Sequence, residues 1–154
     1  TAYRRVVTAR ADAHGGLVDK FIGDGAMVVF EDTGGRAAAG VVAFAEGLLS
    51  DVAAWDPRIE IGIGSHMGEV FSGIVGDDGR LEYTVLGDVV NVAARLEGAT
   101  KQLGMQAVMS AEVWQAAGRS AGEWLPVPQL PLPGRAEPLD CIGLPRASVR
   151  AAAE

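Results

Sequence analysis

Hydrophobic residues recur at helical spacing in several stretches of the chain. From Arg36 to Ala54 they return every three or four positions, and this pattern predicts a helix that packs on the core. The stretch from Thr1 to Ala13 has the same spacing, and His14-Gly15-Gly16 is a typical C-terminal stop. Two more helices are predicted, one from Val89 to about Leu103 and one from a Ser110 cap to about Ala117.

A tight hairpin is predicted around Gly23-Asp24, because this pair separates two short apolar runs. A two-residue loop that opens with Gly is typical of a type II′ turn and places a carboxylate at the hairpin tip. Side chains of a strand alternate between its two faces, so each face of the first run carries one charged residue. The faces consist of Leu17, Asp19 and Phe21 and of Val18, Lys20 and Ile22.

Shorter alternating or apolar segments predict the remaining strands. They lie at 59–63, 69–75, 81–86, 106–109 and 139–144. The segment 124–133 alternates proline with apolar residues, so it can form only an edge strand or an extended segment. Helices mixed with hairpins predict an α+β or mixed α/β domain, in which helices cover a largely antiparallel sheet. A length of 154 residues requires no second domain.

Composition narrows the class of protein further. With 49% hydrophobic and 21% charged residues the chain is globular, and its net charge of −7 does not favour binding to nucleic acid or to anionic membranes. Cys141 is the only cysteine, which excludes an intramolecular disulfide and fits a reducing compartment. His14 and His66 lack zinc-type spacing, and no apolar run approaches the roughly 18 residues of a membrane span. Since the chain begins without Met, we expect it to be part of a longer protein.

Two sets of polar residues are candidates for chemistry. Asp88, Asn91 and Arg95 form a stripe on the helix that begins near Val89, and an amide one turn from a guanidinium suits a phosphate and a sugar. The alternative is a helix capped by Asp88 with two ordinary surface residues, and spacing alone leaves both open. Lys20 could likewise deliver its ammonium into a cleft or decorate a solvated hairpin.

The order of several segments resembles one known family, the class III nucleotidyl cyclases. The segments are Lys20-Phe21-Ile22-Gly23-Asp24, His66-Met67-Gly68-Glu69-Val70, residues 82–97 and Leu132-Pro133-Gly134-Arg135. The resemblance implies an α+β fold (an α/β sandwich), a ferredoxin-like βαββαβ-type cyclase homology domain, over residues 1–145, with a C-terminal tail at 146–154. It also implies an adenylyl or guanylyl cyclase activity.

The resemblance implies roles in metal and purine binding for two residues of the hairpin and for one residue outside it. Asp24 matches one of two aspartates that hold a pair of divalent ions, Mg²⁺ or Mn²⁺, in each site of the family. Lys20 matches the residue that meets adenine N1, and Thr84 stands at the position of its purine-selecting partner, as in a bacterial subgroup. The pair of Lys20 and Thr84 implies ATP as substrate, because guanine N1 carries a hydrogen and guanylyl cyclases typically have Glu at the lysine position.

The remaining positions match residues that contact the sugar and the phosphates. Asn91 matches the residue that orients the ribose, and Arg95 the one that stabilises charge on the reacting phosphate. Arg135 stands where relatives place a Lys or Arg on the terminal phosphates.

In this family each site lies between two subunits of a head-to-tail homodimer. One subunit supplies Asp24 and the other Lys20, Thr84, Asn91 and Arg95, so we expect an inactive monomer. The family's first strand, which carries the other metal aspartate, is expected before Thr1 and is absent from this chain. The chain is then a segment of a complete cyclase or a truncated, inactive fragment.

The resemblance also leaves two rival functions and predicts a cellular context. The rivals are a noncatalytic cyclase-like module that binds nucleotide or dimerises, and a guanylyl cyclase. We expect a cytoplasmic domain, with regulatory or sensor domains and any membrane tether elsewhere in the parent protein.

Overall fold

A computed structural model describes residues 2–32, 35–77, 80–119 and 122–146. Within them lie four helices: α1 (Ala2–Ala13), α2 (Ala37–Trp55), α3 (Asp88–Leu103) and α4 (Ala111–Ala116). The eight strands are β1 (Leu17–Ile22), β2 (Gly25–Val29), β3 (Ile63–Ser65), β4 (Phe71–Asp77), β5 (Arg80–Leu86), β6 (Met105–Ser110), β7 (Leu125–Leu130) and β8 (Leu139–Pro145). The predicted helices are confirmed, whereas most of the predicted C-terminal tail lies outside the described residues.

The strands form three hydrogen-bonded sheets. β1 pairs with β2, β4 pairs with β5, and the largest sheet has the order β3-β6-β8-β7. The pairing of β3 with β6 is parallel and all other described pairings are antiparallel, as predicted. The predicted strand at 59–63 is wrong over its first four residues, because only Ile63–Ser65 lie beside β6 and share its backbone hydrogen bonds.

Helices pack on both faces of the largest sheet and give the predicted α+β layering. β6 shows this directly: Ala107 and Met109 join the apolar cluster beneath α2 and α4, and Val108 between them joins the cluster beneath α3. This alternation follows from the pleat of a strand, whose successive side chains point to opposite faces. A third cluster lies between α1, α2 and the β1–β2 hairpin, and Ile63 of β3 packs against it.

α2 is also the one helix in the described part of the chain that is long and apolar enough to cross a membrane. This differs from the sequence-based expectation, which found no such run. Its buried residues, among them Val42, Phe44 and Leu48, pack in the first and third clusters. The core helix of a soluble protein passes the same test of length and composition.

The faces of β1 differ from the period-two prediction because the strand contains a β-bulge. Leu17 pairs with Val29 and Lys20 with Met27, so that Val18 and Asp19 together face Val28 alone. One extra residue shifts the alternation by one position. Val18 and Phe21, which were predicted on opposite faces, consequently pack in the same cluster against α1 and α2.

Candidate functional site

The β1–β2 hairpin presents Asp24 at its tip, as predicted. Ile22 pairs with Gly25, which leaves Gly23 and Asp24 as the loop. Gly23 has a φ of 58°, and Gln129 is the only non-glycine residue with positive φ in the part of the chain that is described. A positive φ at the first loop residue alone is the signature of a type II′ turn. The Asp24 carboxylate is exposed there.

Asp24 by itself is an incomplete metal site. Its carboxylate is the kind of oxygen ligand that Mg²⁺ and Mn²⁺ accept. Among the described residues, however, no group of three or more His, Cys, Asp or Glu side chains could hold a metal ion. The described residues thus fit one ligand of a divalent ion and not the full set. The negative charge of Asp24 is also felt at Tyr3, whose pKa is raised first by burial and then by Asp24 and Glu97.

Lys20 lies in the same hairpin, next to the bulge. Its side chain is 32% exposed, and its Nζ lies 3.5 Å from Oδ2 of Asp19. The lysine is therefore neither buried nor fully solvated, and a carboxylate from its own strand stands beside it. Sequence reasoning did not predict this contact between neighbouring side chains.

α3 carries the predicted polar stripe. Asn91 is exposed and Arg95 is half-buried, while Val92 and Leu96 between them are buried in the cluster under the helix. The guanidinium of Arg95 lies against Gly134: a Cβ atom added to this glycine would be 3.1 Å from Arg95 Nη2. A residue 39 positions away in sequence, in the loop before β8, is thus brought to the Arg95 side chain.

Arg135 lies in the same loop and is held at the start of α3. Its Nη1 donates a hydrogen bond of 2.9 Å to Oδ2 of Asp88, and its backbone N–H donates to Leu132 O at 3.1 Å. The Arg135 Nε is buried and has no hydrogen-bond partner among the described residues. Asp88 was considered as a helix cap, but the N-cap position is Gly87 and the Asp88 carboxylate pairs with Arg135.

His66 belongs to the same region, although sequence reasoning gave it no role. Its Nδ1 lies 2.8 Å from the Ser110 Oγ, which joins the ends of β3 and β6. Ser110 was predicted to cap α4; it occupies the N-cap position, but its side chain makes no capping hydrogen bond. The pKa of His66 is lowered, chiefly by burial; Glu112 opposes this effect, Arg135 adds to it less strongly, and Asp88 opposes it least. The imidazole is therefore neutral at pH 7.

The structure brings Arg95 against the loop that carries Arg135, with Asn91 on the same helix as Arg95. Lys20 and Asp24 lie in a separate sheet from the strands that support α3. The backbone of Thr84 pairs with Gly73 in the β4–β5 hairpin, and its side chain lies outside the described part. The guanidinium groups of Arg95 and of Arg135 in the neighbouring loop, beside the exposed amide of Asn91, can bind a polyanion such as a phosphorylated sugar.

Comparison with known proteins gives consistent results. The family model described as "Adenylate and Guanylate cyclase catalytic domain" matches residues 11–135. An adenylate cyclase of Anabaena cylindrica is 39% identical over 111 residues, which are 66% of this chain and 22% of that protein. An uncharacterized protein of Mycobacterium tuberculosis is 36% identical over 121 residues, 73% of this chain and 21% of that protein. The chain thus spans about a fifth of the length of these relatives.

Solved structures show the same fold. A bacterial light-regulated adenylyl cyclase has a TM-score of 0.78 at 26% identity, and the match covers 93% of this chain and 43% of that one. The adenylyl cyclase CyaB from P. aeruginosa has a TM-score of 0.79 at 24% identity, covering 95% and 80%. The guanylyl cyclase Cya2 has a TM-score of 0.68 at 26% identity, covering 92% and 75%.

Proposed function

The chain belongs to the family of adenylate and guanylate cyclase catalytic domains, and from this premise we propose that it is the catalytic domain of an adenylyl cyclase. The observation that carries the proposal is that one loop, before β8, places Gly134 against the Arg95 guanidinium and Arg135 on Asp88 at the start of α3. Guanidinium groups match phosphate oxygens in shape and charge, so two of them beside one helix suit the phosphates of a nucleotide. The relative from Anabaena cylindrica, which is an adenylate cyclase, supports the same class of reaction.

The proposed reaction converts ATP to cyclic AMP and pyrophosphate. The ribose 3′-oxygen forms a bond to the α-phosphorus, the bond from that phosphorus to the bridging oxygen breaks, and the 3′-hydroxyl proton is lost to solvent. Asn91 orients the ribose, since an amide can both donate to and accept from a sugar hydroxyl. Arg95 stabilises the negative charge that develops on the α-phosphate, and Arg135 binds the terminal phosphates that leave as pyrophosphate.

Two divalent ions, Mg²⁺ or Mn²⁺, are part of the proposal as cofactors. When bound, such ions neutralise the triphosphate and activate the attacking hydroxyl. The exposed Asp24 carboxylate would supply one of the ligands. The other ligands are proposed to come from outside the described residues.

The choice of ATP over GTP rests on Lys20. An ammonium donates to adenine N1, which is a bare acceptor, and the half-exposed Lys20 is accessible for this contact. Thr84 is the proposed second purine contact. The similarity to a guanylyl cyclase structure leaves cyclic GMP as the second candidate product, since the fold is common to both activities.

The active form is proposed to be a C₂ homodimer with composite sites, in which the hairpin tip of one subunit faces α3 of the other. Large apolar side chains that are exposed in the single chain support an interface, among them Phe71 at 72% and Ile22 at 64% exposure. ATP is the proposed substrate, nucleic acid is not a partner, and the domain is cytoplasmic. Regulatory or sensor domains and any membrane tether belong to the rest of the parent protein.

The test is production of cyclic AMP by the full-length natural protein with ATP and Mg²⁺ or Mn²⁺. Replacing Arg95 by Ala should lower kcat by about 10² to 10³ because it removes a preorganised donor. Arg58→Ala is the matched control, since Arg58 is exposed in the loop after α2 and pairs with the adjacent Asp56. Absence of cyclic AMP above an Asp24→Ala background would refute the proposal. Nucleotide binding by calorimetry without turnover would favour the noncatalytic module, and cyclic GMP as the main product would favour a guanylyl cyclase.

A further inference from the structure

The loop before β8 contains a tight turn, Leu132-Pro133-Gly134-Arg135, in which one position favours glycine. The Arg135 N–H donates a hydrogen bond of 3.1 Å to Leu132 O, and Gly134 has a φ of 78°. Proline fixes φ at about −65°, so of the two central residues only Gly134 is left-handed, which is the geometry of a type II turn. That position accepts asparagine as well as glycine. The turn by itself therefore does not require glycine.

The turn is fixed against α3 at both of its ends. The Leu132 side chain is only 5% exposed and lies in the same apolar cluster as Val92 and Leu96 of the helix. At the other end, Nη1 of Arg135 donates a hydrogen bond of 2.9 Å to Oδ2 of Asp88, in the first turn of α3. The backbone between these two contacts therefore has a defined position beside the helix.

Between these ends, Gly134 lies over one face of the Arg95 guanidinium. A Cβ atom added to the glycine would be 3.1 Å from Nη2, 3.5 Å from Cζ and 3.7 Å from Nη1 of Arg95. Cζ is nearer than Nη1, which excludes an approach to the edge that the two Nη atoms form. The three distances are also too similar for an approach to the other edge beside Nη2, where Nη1 would be much farther away. The turn backbone thus covers a face of this planar group.

This contact leaves the hydrogen-bond donors of Arg95 available. The N–H groups of a guanidinium all lie in its plane, and phosphate oxygens bind them at the edges of that plane. No hydrogen bond or ion pair with another described residue uses these donors of Arg95. A backbone that covers the face can therefore hold the orientation of the guanidinium without competing with a phosphate for its edges.

We propose that Gly134 is a positioning residue for Arg95: its bare α-carbon lets the turn backbone support one face of the guanidinium and hold the N–H groups toward the reacting phosphate. This inference rests on the proposed function of Arg95 in the cyclase site. Because 3.1 Å is shorter than an ordinary contact of a Cβ atom, any side chain at residue 134 moves the guanidinium by a few tenths of an ångström. Asparagine, which the turn accepts, is thus excluded by Arg95 and not by the backbone.

The experiment measures kcat and KM for ATP with the full-length protein and its Gly134→Asn variant. A misplacement of about 1 Å can cost about 10² in rate, so a shift of a few tenths of an ångström should lower kcat about four- to tenfold. KM should not change, because Arg95 acts on charge that develops only in the transition state. A purely structural role of Gly134 would instead lower the melting temperature and leave kcat of the folded protein unchanged.

Gly118→Asn is the matched control. Gly118 is exposed after α4 and has a φ of 69°, so it imposes a similar backbone conformation, but a Cβ there meets nothing within 4 Å. This variant should keep kcat. If Gly134→Asn does not fold, the smaller Gly134→Ala carries the same test. An unchanged kcat in folded Gly134 variants, or an equal loss in Gly118→Asn, would overturn the inference.

A double-mutant cycle with Arg95→Ala tests whether Gly134 acts through Arg95. The change at Gly134 should have no further effect on kcat once the Arg95 side chain is removed, and independent effects of the two changes would overturn the inference. If the wild type produces cyclic AMP, that result leaves the proposed function standing. If the wild type produces no cyclic nucleotide, the proposed function fails, and urea unfolding tests the contact itself. Gly134→Ala should then lower stability less in the Arg95→Ala background than in the wild type, whereas an equal loss in both would overturn the inference.

Discussion

Replacing Gly64 by alanine tests the close contact between β3 and α3. In the structure β3 passes so near the helix that a Cβ on Gly64 would overlap the carbonyl oxygen of Ala93 and the backbone nitrogen of Glu97. Both obstacles are backbone atoms, so no side chain can rotate away, and either the strand or the helix has to move. Only glycine permits this approach.

The size of the effect follows from the kind of atoms involved. Overpacking a core typically costs about 1 to 3 kcal/mol of stability. Because the added methyl group would clash with backbone atoms of α3, we expect a cost at the upper end, about 3 kcal/mol. For a domain of this size the loss lowers Tm by about 6 to 12 °C. α3 carries Asn91 and Arg95, so displacement of the helix should also lower the proposed cyclase activity.

Gly98 in α3 provides the matched control. A Cβ there meets nothing within 4 Å and the position is exposed, so Gly98→Ala should stabilise the helix by up to about 1 kcal/mol. The same chemical change is thus expected to destabilise the protein at Gly64, where β3 contacts α3, and to stabilise it at Gly98, on the exposed side of α3. Urea unfolding followed by tryptophan fluorescence measures both, since Trp114 and Trp124 are buried. A Gly64→Ala variant within 0.5 kcal/mol of the wild type would refute the close approach.

Three further predictions concern titratable groups. Burial raises the pKa of the Cys141 thiol to about 11, so the contribution of the buried thiol to stability is complete below about pH 9 and is lost as the pH rises toward 11. Ellman's reagent at pH 8 should therefore modify only unfolded protein, and fast labelling of native protein would contradict this. The hydrogen bond from Arg10 lowers the pKa of Asp51. Arg10→Gln should therefore cost at most about 1 kcal/mol at pH 7, and that difference should vanish as acid protonates Asp51; a pH-independent difference would exclude the ion pair as its cause. Burial lowers the pKa of His66, so the unfolded chain binds a proton more tightly than the folded one. As the pH drops below about 6.5, the free energy of unfolding should decrease in the wild type and decrease less in His66→Gln. Urea unfolding at several pH values measures this difference.

Sequence patterns predicted the features that depend on neighbouring residues. The turn at Gly23-Asp24 and the stripe with Asn91 and Arg95 were predictable, because a type II′ turn and the helical period are local properties. The family resemblance supplied residue roles that spacing had left open.

Features that depend on long-range contacts or on a local irregularity were not predictable. The bulge at Asp19 leaves the composition of β1 unchanged, so strict alternation gave the wrong faces. Asp88 looked like a helix cap because its partner, Arg135, lies 47 positions away. Ser110 occupies the predicted N-cap position of α4, but its side chain contacts His66, 44 positions away, and makes no capping hydrogen bond. The partners of Asp88 and Ser110 cannot be found in a short window of sequence.

The position of β6 has a consequence for how the domain opens. β6 pairs with β3 on one side and β8 on the other, and Ala107, Val108 and Met109 are at most 1% exposed, with side chains in the cores on both faces of the sheet. Neither core can come apart without releasing this strand, so the two behave as one cooperative unit. Amide hydrogens of β6 should accordingly exchange with solvent only through global unfolding. The hairpin with Lys20 and Asp24 pairs with neither β3 nor β6, and its amides should exchange through smaller, local openings.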